Sequence, residues 1–170
     1  MGGEFLNHQG MDSIQNIVAR HPMVDGLSHE QLAVLVECAT SSFFSEGELV
    51  FSEGSNAQNF YLVQTGRIAL ELNSGEEHAQ IDIIESGSVL GWAWMFAPYY
   101  WHFDARAIEP TRVISFYGKR LREECKSDNA LGYHLANYMA QLVIKRLHKT
   151  QLQLLQFLKP PKTSLPSRCD

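Results

Sequence analysis

The chain has 170 residues, 45% of them hydrophobic, which suits one domain with a buried core and leaves little room for a second. Its formal charge of −5 at pH 7 argues against a broad electrostatic footprint for nucleic acid or an anionic membrane, although a local basic patch stays open. No apolar run approaches the roughly 18 residues of a membrane span and no basic-then-apolar leader is present, so a cytoplasmic protein without direct nucleic-acid or membrane partners is expected.

Residues 1–10 (MGGEFLNHQG) show no periodicity, and a second methionine, Met11, stands just before the first helical pattern. These ten residues are expected to be an expression remnant or disordered. A folded unit is expected over 11–128. It opens with a short amphipathic segment that ends at His21-Pro22, and Ser28 then starts a second helix, SHEQLAVLVECA, in which Ser28 and Gln31 have the spacing of a capping box.

Beyond Ala39 the texture changes to short runs of Phe, Val, Ile and Tyr broken by Gly47, Gly54, Gly66, Gly75 and Gly87. Consecutive strands joined by turns are expected, hence a barrel or sandwich. Leu49 with Phe51, Phe60 with Leu62, Ile68 with Leu70 and Leu72, and Ile81 with Ile83 alternate as one core-facing side of a strand should. The stretch WAWMFAPYY interrupts this texture, and Pro98 limits it to one or two helical turns over 92–97. Strands are expected to resume over 101–108 and 112–116. In the first of these, alternation puts Trp101, Phe103, Ala105 and Ala107 inward, and His102, Asp104 and Arg106 outward.

After Gly118 the pattern is helical, ending in a long helix over 129–158. Its apolar stripe, Leu135, Met139, Leu142, Val143, Leu147, Leu154, Phe157 and Leu158, is longer than one small barrel covers. A homodimer through Leu135, Met139, Leu142, Leu147 and Leu154 is therefore expected. Pro160 and Pro161 stop the helix, and residues 159–170 read as a disordered tail. Cys38, Cys125 and Cys169 lie far apart without a CxxC pair, which points to reduced thiols and not to a disulfide framework or a zinc site.

Taken together, HPMVDGLSHEQL, the strand-turn-strand run FFSEGELVFSEGSNAQNFYLVQTGRIALEL and the segment ESGSVLGW resemble the cyclic-nucleotide-binding domain family of catabolite regulators, kinase regulatory subunits and gated channels. The resemblance covers about residues 20–158. It implies a mainly β fold with flanking helices: a double-stranded β-helix or jelly-roll barrel, N-terminal helices and a long C-terminal helix. A phosphate-binding cassette is implied over 87–107, and the segments GW-W and WHFDARA resemble a stand-alone bacterial subfamily.

In the family, a cassette glycine starts a short helix whose N–H groups hold the cyclic phosphate. A glutamate just after it binds the ribose, and an arginine about ten residues on neutralises the phosphate. Gly91 matches the glycine, but Trp92 stands at the glutamate position, and the arginine position falls on Trp101 or His102. Arg106 should face outward, paired with Asp104 on the same face, and His102 is the better cation if the register slips by one. The candidate ligand site is therefore Gly91, Trp92, Ala93, Trp94, Trp101, His102 and Phe103, whose rings either fill the cavity or line it for a flat, apolar ligand. Free N–H groups near 92–95 are left for a carboxylate or phosphate.

No cofactor is implied with certainty, and a cyclic nucleotide is disfavoured by Trp92 and Trp101. The expected function is a non-enzymatic regulatory ligand-binding module with altered preference, acting through a homodimer or a protein partner. About a dozen residues follow Leu158, so no DNA-reading domain is expected. The alternative is a degenerate domain that serves as an interaction module without ligand. An enzyme is disfavoured, since no GxSxG, HExxH or Gly-rich Lys motif occurs and the seven histidines have no metal spacing.

Overall fold

The computed structural model describes residues 14–73, 75 and 78–158. The expectations for residues 1–10 and 159–170 lie outside these. Helix α1 (residues 14–19) leads into a 3-10 turn, Pro22–Val24, and α2 (His29–Glu37). The capping box is present: Gln31 N–H donates to Ser28 Oγ at 3.2 Å, and Ser28 N–H donates to Gln31 Oε1 at 3.1 Å.

Eight strands follow: β1 (Ala39–Phe44), β2 (Leu49–Phe51), β3 (Asn59–Thr65), β4 (Ile68–Asn73), β5 (His78–Ile84), β6 (Val89–Leu90), β7 (Asp104–Ala107) and β8 (Thr111–Tyr117). They form two four-stranded sheets, β1-β8-β3-β6 and β2-β7-β4-β5, with every pairing antiparallel. The jelly-roll expectation holds, as two facing sheets and not as a closed barrel. Helices α3 (Gly118–Ser127) and α4 (Asn129–Leu158) complete the order.

β3 explains why there are two cores. Its run Phe60, Tyr61, Leu62, Val63 is buried on both faces. Phe60 and Leu62 face the helices, with Trp94, Phe116, Leu121, Leu35 and Met139, while Tyr61 and Val63 face the opposite sheet, with Phe51, Ile68, Leu70 and Trp101. Period-two alternation thus feeds a core on each side of one strand.

Five local expectations are corrected. Leu49 is 38% exposed, because the register shifts between Leu49 and Phe51 and takes it off the face that Phe51 buries. Leu72 and Ile81 are also exposed at the surface beneath α4. The strand containing Arg106 starts at Asp104, so alternation does not govern Trp101 to Phe103. Asp104 is buried and accepts the Glu53 N–H at 2.7 Å, and Arg106 therefore pairs with Glu71 at 3.1 Å and not with Asp104.

The long helix uses its stripe in two ways. Leu131, Leu135 and Met139 are wholly buried in the helical core, and Leu142 packs against it. Leu135 and Met139 cannot meet a second copy, because this protomer already covers them. Further along, Arg146 Nη2 donates to the Val89 carbonyl at 2.8 Å and Lys149 pairs with Asp82, pinning α4 across β6 and β5.

Candidate functional site

Beyond that pin, α4 roofs a groove of about 700 Å³. One wall is Leu70 and Leu72 of β4 with Gln80, Ile81 and Asp82 of β5. Trp92 and Phe103 of the cassette form one end, and Val143, Arg146, Leu147, Thr150, Leu154 and Phe157 of α4 form the roof. The volume is in the range of small-molecule sites, and most of the lining is apolar.

The seven cassette residues divide sharply. Gly91 has φ 101°, and a Cβ there would lie 2.7 Å from Cη2 of Trp101, so only glycine serves both the turn and the close approach. The short helix after it is a single 3-10 turn, Trp92–Trp94, whose following N–H, that of Met95, is used by the Trp92 carbonyl at 3.2 Å. Ala93 and Trp94 are buried in the two cores, with the Trp94 indole stacked on Phe60. Trp101 is buried between the sheets, stacked on Phe51 at 3.7 Å between centroids.

Two of the seven line the groove, Trp92 and Phe103. His102 is exposed and stacks on Trp92, with centroids 5.2 Å apart and planes 18° from parallel. It braces the ring that lines the groove and is not itself part of the lining. Arg106 is tied to Glu71 and to the Gly47 carbonyl on the far side of its strand. The aromatic cassette therefore both fills and lines, and the division falls between Trp101 and Trp92.

The cation in the groove comes from α4. Arg146 Nη1 is buried without a hydrogen-bond partner among the described residues. Burial lowers the pKa of this guanidinium, while nearby Asp82 and Tyr138 raise it. Burial also raises the thiol pKa of Cys38 and pushes that of Cys125 up to about 11, so both stay protonated at neutral pH and neither is an activated nucleophile. Among the described residues no group of three or more His, Cys, Asp or Glu is placed to hold a metal ion. No helix among them is long and apolar enough to cross a membrane.

None of the α4 residues that roof the groove is among the seven expected ligand-site residues. A signal was available: Arg146 lies four residues after Leu142 and seven after Met139, a cation on the face that the stripe buries. The β4 and β5 wall was visible only as strand residues, because the groove exists where two distant segments meet.

Residues 42–128 match the sequence profile of the cyclic nucleotide-binding domain. That is more than half of the chain, from β1 to the residue before α4, and the chain belongs to the cyclic nucleotide-binding domain family. Among solved structures, a candidate cyclic nucleotide-binding protein from Geobacter metallireducens is 29% identical, over 81% of this chain and 97% of its own, with a TM-score of 0.70. Two more distant structures share the fold. One is a cyclic nucleotide-binding domain from Methylobacillus flagellatus, with 16% identity, 91% and 87% of the two chains covered and a TM-score of 0.73. The other is the sensor domain of the transcriptional regulator DNR from Pseudomonas aeruginosa, with 19% identity, 91% and 98% covered and a TM-score of 0.63. No curated protein sequence matches the chain.

Proposed function

We propose that this chain is a non-enzymatic regulatory module that holds a small ligand other than a cyclic nucleotide in the groove beneath α4. The observation that carries the reading is the division of the cassette. Trp92, at the position where the family places a ribose-binding glutamate, lines the groove, while Trp101, near the position of the phosphate-binding arginine, is spent on the core against Phe51. A cyclic nucleotide would meet the Trp92 indole in place of one polar anchor and find no charge at the other, whose side chain lies in the core. An apolar ring system would meet matching surface.

Leu147, Leu154 and Phe157 of α4 form part of the groove, so a ligand that contacts them favours one helix position over another. The distal helix also exposes Ile144, Leu155 and Leu158 on the side next to the groove face, and none of them lines the groove. We assign the homodimer contact to that side, with Leu147 and Leu154 at its edge, so that the helix carries occupancy to the second copy or to a protein partner.

A thermal-shift screen of metabolites tests the reading. A ligand at 100 times its dissociation constant should stabilise the fold by roughly 2.7 kcal/mol, a shift of several degrees for a domain of this size. A broad screen without a single hit would favour the other outcome, a domain that kept the fold as an interaction module.

A further inference from the structure

The groove is apolar along most of its length, and Arg146 is the one Lys or Arg among its lining residues. The guanidinium is held in place, since Nη2 donates to the carbonyl of Val89 in β6, the strand that leads directly into Gly91. Nη1 is buried and donates to nothing among the described residues, so a head group in the groove reaches it only as α4 shifts. A buried donor left unsatisfied is costly, and a charged one more so. The carboxylate whose charge acts on it is Asp82, which also lines the groove, but that carboxylate is engaged by Lys149 from the next turn of α4.

We infer that the ligand of this groove is an amphipathic organic anion: a flat or aliphatic apolar body lying between Trp92, Phe103 and Leu147, with a singly charged carboxylate or sulfonate head on Arg146. This inference rests on the groove being the ligand site. One free nitrogen suits a singly charged head, and with Lys149 taken by Asp82 no second cation among the lining residues is left for a dianion such as a phosphate monoester. The anchor sits on α4 and not on the cassette, so the head group itself would bear on the helix position.

Two fluorescent probes that share one ring system test this on the full chain: anilinonaphthalene sulfonate, which is anionic, and phenyl-naphthylamine, which lacks the sulfonate. The sulfonate should bind roughly tenfold more tightly than its neutral counterpart. Arg146→Met should remove that advantage and leave the neutral probe bound as before, and Arg146→Lys should keep part of it. Ile81→Glu, in the groove wall, should weaken both.

Equal affinity of the two probes for the unsubstituted chain overturns the inference and needs no folded variant, as does equal weakening of both by Arg146→Met in a variant whose circular dichroism is unchanged. Failure of both probes to bind, or binding that ignores Ile81→Glu, overturns the groove as ligand site and the inference with it.

Discussion

The indole of Trp101 lies flat on the ring of Phe51, 3.7 Å between centroids and 10° between planes, with the edge of the same indole against the Cα of Gly91. One side chain thus joins β2 to the cassette turn at the centre of the inter-sheet core. Trp101→Ala should cost about 3–5 kcal/mol, as truncation of a buried aromatic does. Urea denaturation followed by far-UV circular dichroism measures it. A loss under about 1 kcal/mol would show that the indole is replaceable cover and not a core element.

Gly91→Ala tests the same contact from the other side. At φ 101° a Cβ is strained, and here it would also press on the indole at 2.7 Å. A cost of roughly 1–3 kcal/mol is expected. In a Trp101→Leu background the steric part should vanish and only the backbone strain remain. The two substitutions should therefore be non-additive, with coupling of about 0.5 kcal/mol or more in a double-mutant cycle.

Cyclic AMP and cyclic GMP should produce no resolvable thermal shift or calorimetric heat at micromolar concentration. The phosphate would have to leave water for a cassette whose turn is three residues long and whose expected anchors are Trp92 and Trp101. Micromolar binding of either nucleotide would falsify the altered-preference reading and return the chain to the family's ordinary messenger.

How far the sequence carried these conclusions depends on the range of the interaction. The capping box at Ser28 and Gln31, the strand content and the helical end are local patterns and were legible. Trp101 was legible as inward-facing and misplaced as a groove residue, because inward in a two-sheet fold means either the core or the groove, and residue periodicity does not distinguish them. Arg146 stands in a stripe recognisable by its apolar members, and a lone cation there carries no local sign of what it meets. Its role depends on Val89, 57 residues earlier in the chain, and on Lys149 taking Asp82. The expected second copy over Leu135 and Met139 fails for a related reason, since a stripe records that a face is covered and not by what.

Acid should weaken the junction between α2 and α4. The Asp128 carboxylate accepts from Gln31 Nε2 at 2.8 Å and from the Leu131 N–H at 3.0 Å, and these bonds hold its pKa below the usual value, the Gln31 bond most. A carboxyl that is more acidic folded than unfolded binds fewer protons in the native state. Its contribution is complete above the unfolded pKa near 4 and is lost as pH falls through the lower folded value. Asp128→Asn retains a capping oxygen and removes the titration. The drop in urea midpoint between neutral pH and the acid range should be smaller in the variant than in the unsubstituted chain, and equal drops would show that Asp128 contributes nothing to the dependence.

The exposed side of distal α4 supplies the last prediction. Ile144, Leu155 and Leu158 are 63%, 54% and 68% exposed, and spacings of eleven and fourteen residues put them within about one side-chain width on one helical face. None of them lines the groove, so the ligand site does not account for them. Sedimentation at micromolar concentration should show a dimer. Ile144→Glu combined with Leu155→Glu should give a monomer with unchanged thermal unfolding of the sheets, because neither side chain belongs to either core cluster. An unsubstituted chain that sediments as a monomer throughout removes the dimer. A double variant that stays dimeric moves the contact to the Leu147 and Leu154 edge, where pairing and ligand binding would draw on the same residues.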